Sequence, residues 1–280
     1  MSTLAVKGER GVYVRGVDAW PMSSSDEGRL SLVGLGLEAD GISLAGRRAA
    51  RGADRVFLEA YTAQAPQPVA SLEAMVAADV EPLDRAGVED GDVIVDAARG
   101  GHAALLVAGD PLSATTHTAL RLQAQEAGIA VDVHHAGSVL TAAAGALGLS
   151  HYKFGRTTTL VTPQDSYFPQ SPYEVVQENR ERGLHTLVLL DVREDGSFMS
   201  AAEGARLLAR LEDEQGEGAL PDEREVVAIA RAGRGDEAAW RGSLAAIQEL
   251  DAGEPMHSLV VPGELSPVEE EALAAFATAP

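Results

Sequence analysis

Short apolar runs alternate with helix-period segments along almost the whole chain, and this alternation limits the fold more than any other feature. Strand-like runs lie at residues 30–35, 55–60, 103–108 and 129–134, then at 157–162, 186–192, 225–230 and 257–261. Helical patterns fill the gaps at 43–51, 92–98, 116–127, 172–182, 201–212, 237–250 and 267–277. Pro172, Pro221, Pro255 and Pro267 fall at the boundaries, where helix start and stop signals belong. The pattern predicts an α/β fold with largely parallel strand pairing. A Gly- and Ala-rich stretch, "HHAGSVLTAAAGALGLSHYKFG", marks the junction of two α/β halves, residues 30–136 and 137–280. Residues 1–29 show little periodicity and read as a flexible N-terminal extension. Met22 resembles a natural start, which leaves 1–21 as an upstream segment.

A length of 280 residues suits one large domain or two modest ones, each able to bury its own core. The 45% hydrophobic content is that of a globular chain. With no cysteine, disulfides, zinc–thiolate sites and cysteine nucleophiles are excluded. The longest small-apolar stretch, 140–149, is far short of the ~20 residues of a membrane span. Lys7, Glu9 and Arg10 stand where a signal peptide would need an apolar core. A cytoplasmic protein with no membrane partner is therefore expected.

Acidic residues outnumber basic ones by 43 to 22, for a net charge of -21. The acid is spread along the chain and no basic stripe exists, so nucleic acid is not an expected partner. The distribution is that of a surface adapted to high salt, and a haloarchaeal source is expected. Only two of the basic residues are lysines, Lys7 and Lys153.

The run at 30–35 leads into Gly34, Gly36 and Ala39, a match to the dinucleotide fingerprint G-x-G-x-x-G/A. Glu59, at the end of the next run, lies near the spacing of a ribose-binding acid. The physics of a pyrophosphate site is missing, however. Asp40-Gly41 is a turn and Ser43 is the better N-cap, so the helix starts too late to face a phosphate. Glu38 and Asp40 would repel one, and the loop holds no Arg or Lys. The alternatives are a glycine turn that only lets helix pack on strand, or a loop that receives a neutral or cationic ligand.

The stretch "AALLVAGDPLSATTH", residues 103–117, is more specific. A buried strand runs into Gly109-Asp110-Pro111, and Asp110 is expected both to cap the following helix and to face a ligand at the strand's carboxyl end.

With "VGLGL", "GDPLSATTH", "AGSVLTAAAG", "HYKFGRTTTL", "FPQSPYEVVQENRERGLHTLVLLDV", "AIARAG" and "HSLVVPGELSPVEEEAL" taken together, residues 30–280 resemble the diphthine synthases, S-adenosylmethionine-dependent methyltransferases of the tetrapyrrole-methylase superfamily. "YEVVQENRERGLHTLVLLD" separates this group from the cobalamin-pathway methylases. The segment after the second run, "YTAQAPQPVASLEAM", departs from the usual pattern, which leaves that loop undefined.

The resemblance implies two α/β domains of the tetrapyrrole-methylase type with the cofactor cleft between them, assembled as a homodimer. It implies methylation of the amino group of a 3-amino-3-carboxypropyl histidine on translation elongation factor two. Cofactor contacts carried over by motif are Leu37, Asp110, Ser113, Ser138, Val139, Leu190, Ala232 and His257. On this reading the glycines of 34–36 open room for the sulfonium. Candidate bases are His117, His151 and Asp110, and candidate holders of the substrate carboxylate are Lys153 and Arg156. The adjacent His134 and His135 point to opposite faces of a strand and make a poor metal chelate. Tyr167, Phe168 and Tyr173 form an aromatic group for either substrate contact or loop packing. A nicotinamide oxidoreductase, a non-catalytic scaffold for the elongation factor and a precorrin methylase are the rival readings.

Overall fold

The computed structural model describes residues 28–280 apart from 165, 166 and 194. The expected extension at 1–29 lies almost wholly outside these residues. The first half contributes β1 (Arg29–Gly34), α1 (Leu44–Arg51), β2 (Arg55–Glu59), α2 (Val69–Val76), β3 (Val80–Leu83), α3 (Arg85–Glu89), α4 (Asp92–Arg99), β4 (His102–Val107), α5 (His117–Glu126) and β5 (Ala130–His134). Its sheet has the order β3-β2-β4-β1-β5, and all its pairings are parallel. Both faces are covered, so the strands read as nearly unbroken apolar runs. Leu30, Leu32, Phe57 and Leu105 pack to one side, and Val33, Val56, Leu58 and Leu106 to the other. Ser43 caps α1 by accepting from the Gly46 N–H at 3.0 Å, as its position in sequence predicts.

The second half contributes α6 (Val139–Ala146), a 3-10 turn (His151–Lys153), β6 (Thr158–Leu160), α7 (Ser171–Glu181), β7 (Thr186–Leu190), α8 (Ala201–Gln215), β8 (Glu225–Ala230), β9 (Ala238–Ser243), α9 (Leu244–Ile247), β10 (His257–Val261), α10 (Pro267–Ala274) and β11 (Ala277–Thr278). The sheet order is β11-β9-β8-β10-β7-β6. Here the expectation of largely parallel pairing fails. β10 runs antiparallel to β7 and β8, and β8 antiparallel to β9. The reason is local. A short turn joins β8 to β9, where a parallel neighbour would need a crossover helix.

β9 also takes the first half of the helix expected at 237–250, of which only α9 remains helical. "EAAWRG" is composed of good helix formers, but pairing along β8 overrides propensity. Trp240 and Ala239 alternate toward opposite faces of the sheet. Gly242 lets Ala279 approach, since a Cβ there would stand 2.9 Å from the Ala279 methyl. Ser243 then caps the short α9 by accepting from Ala246 N–H.

α8 and α10 both begin with capping boxes, Ser200/Glu203 and Ser266/Glu269. α6 packs with Leu187, Val227, Ile229 and Val260 of the second sheet. No helix among the described residues is long and apolar enough to cross a membrane.

Candidate active site

The loops after β1 and β4 touch. These strands are neighbours, and Gly36 and Gly109 form an isolated antiparallel bridge, with N–H···O distances of 3.1 and 2.9 Å. Both glycines have positive φ, 74° and 71°. A Cβ at Gly34 would stand 2.7 Å from the Gly109 carbonyl oxygen, and one at Gly36 2.8 Å from that of Gly41. The glycines therefore let one loop pack on the other, and Gly36 and Gly109 also stand on the cavity wall above. Replacing Gly36 with Ala is expected to cost about 2 kcal/mol, from the left-handed conformation and the backbone contact together. A thermal melt within a degree of the parent would show that the bridge tolerates a side chain.

Above the bridge a cavity of about 290 Å³ opens between the two sheets, at the lower end of the range for small-molecule sites. Loops at the carboxyl ends of all five parallel strands form one wall, where ligands of open α/β sheets bind. The ends of β7 and β8 and the start of β10 form the other. All eight residues carried over by motif, Leu37, Asp110, Ser113, Ser138, Val139, Leu190, Ala232 and His257, line this one cavity. Leu37 also meets the opposite half, because a Cβ on Gly233 would stand 2.7 Å from its Cδ1.

Asp110 is buried and saturated. Its Oδ1 accepts from Leu112 N–H (3.0 Å) and Ser113 Oγ (3.1 Å), and its Oδ2 from His135 Nδ1 (2.7 Å) and Ala136 N–H (3.2 Å). Burial pushes its pKa up, but those four bonds outweigh it and hold the carboxyl below its usual range. It closes the 110–113 turn; the helix starts later, at His117, so the expected helix cap is a turn cap. Four donors use the carboxylate's acceptor sites, so Asp110 offers a ligand charge more than hydrogen bonds.

His257 is equally committed. Nε2 donates to the Glu254 carbonyl (2.9 Å) and Nδ1 accepts from Ala201 N–H (3.2 Å). Burial lowers its pKa, and the neutral ring fixes the start of α8 against the turn before β10.

Several expected roles move elsewhere. His117 is buried, and its Nδ1 donates to the Pro111 carbonyl at 2.9 Å; it anchors the Gly-Asp-Pro turn and does not line the cavity. His151 is exposed on the 3-10 turn and stacks on Phe154. Lys153 pairs with the buried Glu269 at 2.6 Å, and Arg156 with Glu178 at 3.2 Å, both outside the cavity wall. Tyr173 is a core residue whose hydroxyl donates to Glu212 and accepts from the Glu217 and Ala219 N–H groups. Phe168 packs on the same core under the Arg210 guanidinium, while Tyr167 stays 59% exposed. Glu59 is fully buried and turned into its own loop, so it cannot serve a ribose.

Sequence reasoning missed Tyr61, Thr62, Gln64 and Arg85, which also line the cavity. Their only signal was position. They follow β2 and β3, and Tyr61, Thr62 and Gln64 lie in the segment where the family pattern breaks.

The profile of the tetrapyrrole (corrin/porphyrin) methylases matches residues 29–248. The chain belongs to this family. The diphthine synthase of Halobacterium salinarum is 42% identical over 263 residues, covering 90% of this chain and 98% of that one. The diphthine synthase of Methanocaldococcus jannaschii is 38% identical over 250 residues, covering 87% and 97%. A crystal structure of diphthine synthase superposes with a TM-score of 0.80 at 33% identity, over 89% of this chain and 95% of that one. The chain is accordingly a methyltransferase of the diphthine synthase group.

Proposed function

We propose that the chain methylates the amino group of a 3-amino-3-carboxypropyl histidine on translation elongation factor two, with S-adenosylmethionine as methyl donor, to form diphthine. The supporting observation is that the eight motif-matched residues, drawn from both halves, meet in one cavity. The cavity suits such a donor: Leu37, Val139, Leu190 and Ala232 give it apolar surface, and Asp110 and Asp191 put negative charge on its wall. The same reading carries the division at 136/137, the homodimer and the cytoplasmic location, which rest on the family resemblance.

Bound S-adenosylmethionine would supply an electrophilic methyl group, displaced from sulfur by the lone pair of the acceptor nitrogen. The chain's own part is to hold that alignment and exclude water. Leu37 reaching Gly233 ties the two walls together, and the neutral His257 fixes the turn that leads into β10. Asp110, with a lowered pKa and four donors, is a poor proton acceptor, so the acceptor amine is expected to lose its proton to solvent.

Mass spectrometry of elongation factor two carrying the aminocarboxypropyl histidine, incubated with enzyme and cofactor in molar salt, should show methyl-sized mass steps. Calorimetry should show S-adenosylhomocysteine binding. NADH binding in its place, with no mass step, would overturn this function.

A further inference from the structure

The motif-matched residues occupy only part of the cavity. In the first half they follow β1, β4 and β5. The other end of that wall follows β2 and β3, at the far edge of the order β3-β2-β4-β1-β5, and carries Tyr61, Thr62, Gln64 and Arg85.

This end is built before any ligand arrives. Buried Glu59 accepts from Tyr61 N–H (2.8 Å), Thr62 N–H (2.6 Å) and Thr62 Oγ1 (2.5 Å), which fixes the loop. Arg85 opens α3, and its guanidinium carbon lies over the Tyr61 ring, 5.0 Å from its centre and so within stacking reach. Its one ion pair among the described residues, with Glu89, is long at 3.4 Å and exposed on both sides, so it holds the guanidinium weakly.

The charge balance of the cavity runs against that of the chain. Overall, 43 acidic residues face 22 basic ones, yet the cavity wall has Arg85, Arg231 and Arg234 against Asp110 and Asp191. Arg231 is spent on structure, donating to the Asp236, Ala252 and Glu254 carbonyls and pairing with the Asp236 carboxylate. Arg234 leans on Asp236 at 3.5 Å, two residues from Ala232 and so at the cofactor side. Arg85 is left as the cation at the opposite end.

We propose that Arg85, stacked on Tyr61, binds the carboxylate of the acceptor's aminocarboxypropyl arm and so selects an amino-acid side arm over a simple amine. This rests on the methyltransferase function above. The planar guanidinium matches a carboxylate with two parallel hydrogen bonds, which a lysine cannot do. A contact this short persists in molar salt, where the screening length is about 3 Å.

The test is steady-state methylation of aminocarboxypropyl-modified elongation factor two by wild type, Arg85→Gln and Arg85→Lys. S-adenosylhomocysteine calorimetry on each reports folding and the cofactor end. Arg85→Gln should raise the acceptor KM about 10- to 100-fold with cofactor affinity unchanged, and Arg85→Lys should recover part of the loss. An acceptor with the arm's carboxylate converted to an amide should erase the difference between wild type and Arg85→Gln. An unchanged KM in Arg85→Gln, beside an active wild type, would overturn the role of Arg85 alone. A wild type that transfers no methyl group would overturn the function and this role with it.

Discussion

Glu269→Gln should lower stability by about 3–5 kcal/mol, more than any other single change considered for this chain. The side chain is almost wholly buried at the start of α10, and both oxygens are fully used. Oε1 accepts from Ser150 N–H (3.0 Å) and His185 Nε2 (3.2 Å). Oε2 accepts from Lys153 Nζ (2.6 Å), Ser266 N–H (2.8 Å) and Ser266 Oγ (2.8 Å). One carboxylate thus caps a helix, ties α10 to the 3-10 turn at 151–153, and neutralises one of the chain's two lysines. Glutamine fits the space but removes the charge and aims an N–H₂ group at donors. Among the described residues, the Lys153 ammonium then stays partly buried with only the Glu264 carbonyl to face. For a chain of this size the loss corresponds to a melting point lower by roughly 6–20 °C.

The pH dependence has a definite sign. Burial raises the Glu269 pKa, but the bonds from Lys153, Ser266 and Ser150 more than reverse this, and the group sits far below its ordinary 4.5. A depressed carboxylate gives stability that is present above its unfolded value and lost as pH falls below about 4.5. Burial likewise depresses His185 and His257 below 6.5. Their contribution is complete above that value and declines as pH drops beneath it. Wild-type melts should therefore fall in two stages, below about 6.5 and again below about 4.5. Glu269→Gln should keep the first stage and weaken the second, which the lowered carboxyls of Asp110, Glu203 and Glu212 still carry in part. A variant that melts with the wild type at pH 7 would rule out the network as a source of stability.

The fold was legible where local and tertiary demands agree. β1 and β4 are apolar on both faces, as strands inside a covered parallel sheet must be, and Ser43 declares the start of α1. Residues 237–250 were not legible, because an alanine-rich helical composition yields to the free edge of β8. α2, β3 and α3 were invisible for a related reason: Pro66, Pro68 and Pro82 break the periodicity that would have marked them. At the site, strand-end residues were readable, since a strand's carboxyl end fixes where its loop begins. Partners across the chain were not. Nothing near Lys153 says that its counter-ion stands 116 positions later, and nothing near Tyr173 says that its hydroxyl closes on Glu212. The glycine loop was half legible. Its unsuitability for pyrophosphate could be read from its acids and its late helix. Its pairing with Gly109 could not, because that depends on β1 and β4 being neighbours.

Asp110→Asn should abolish methyl transfer to below about one hundredth of wild type and cost about 2–4 kcal/mol in stability. The carboxylate joins two loops: Oδ1 holds its own turn through Leu112 and Ser113, and Oδ2 holds the loop after β5 through His135 and Ala136. All four partners donate. Asparagine has one oxygen, so in either orientation its N–H₂ group faces two donors. The turn must then open or drift from Ala136, which moves Ser113 and Ser138, both on the cavity wall. A displacement of about 1 Å in a positioning group can cost 100-fold in rate. On the proposed function, loss of the negative charge at the cavity wall adds to the effect, and S-adenosylmethionine should lose more affinity than neutral adenosine fragments. His135→Ala separates the contributions. His135 is 69% exposed in its side chain and supplies one of the four donors, so its removal should cost only a few-fold in rate. If Asp110 were instead the base, its lowered pKa would leave the rate flat from pH 5 to 8, and His135→Ala would shift the acidic limb. Equal activity of Asp110→Asn and wild type would show that neither the charge nor the four-donor clamp shapes the site.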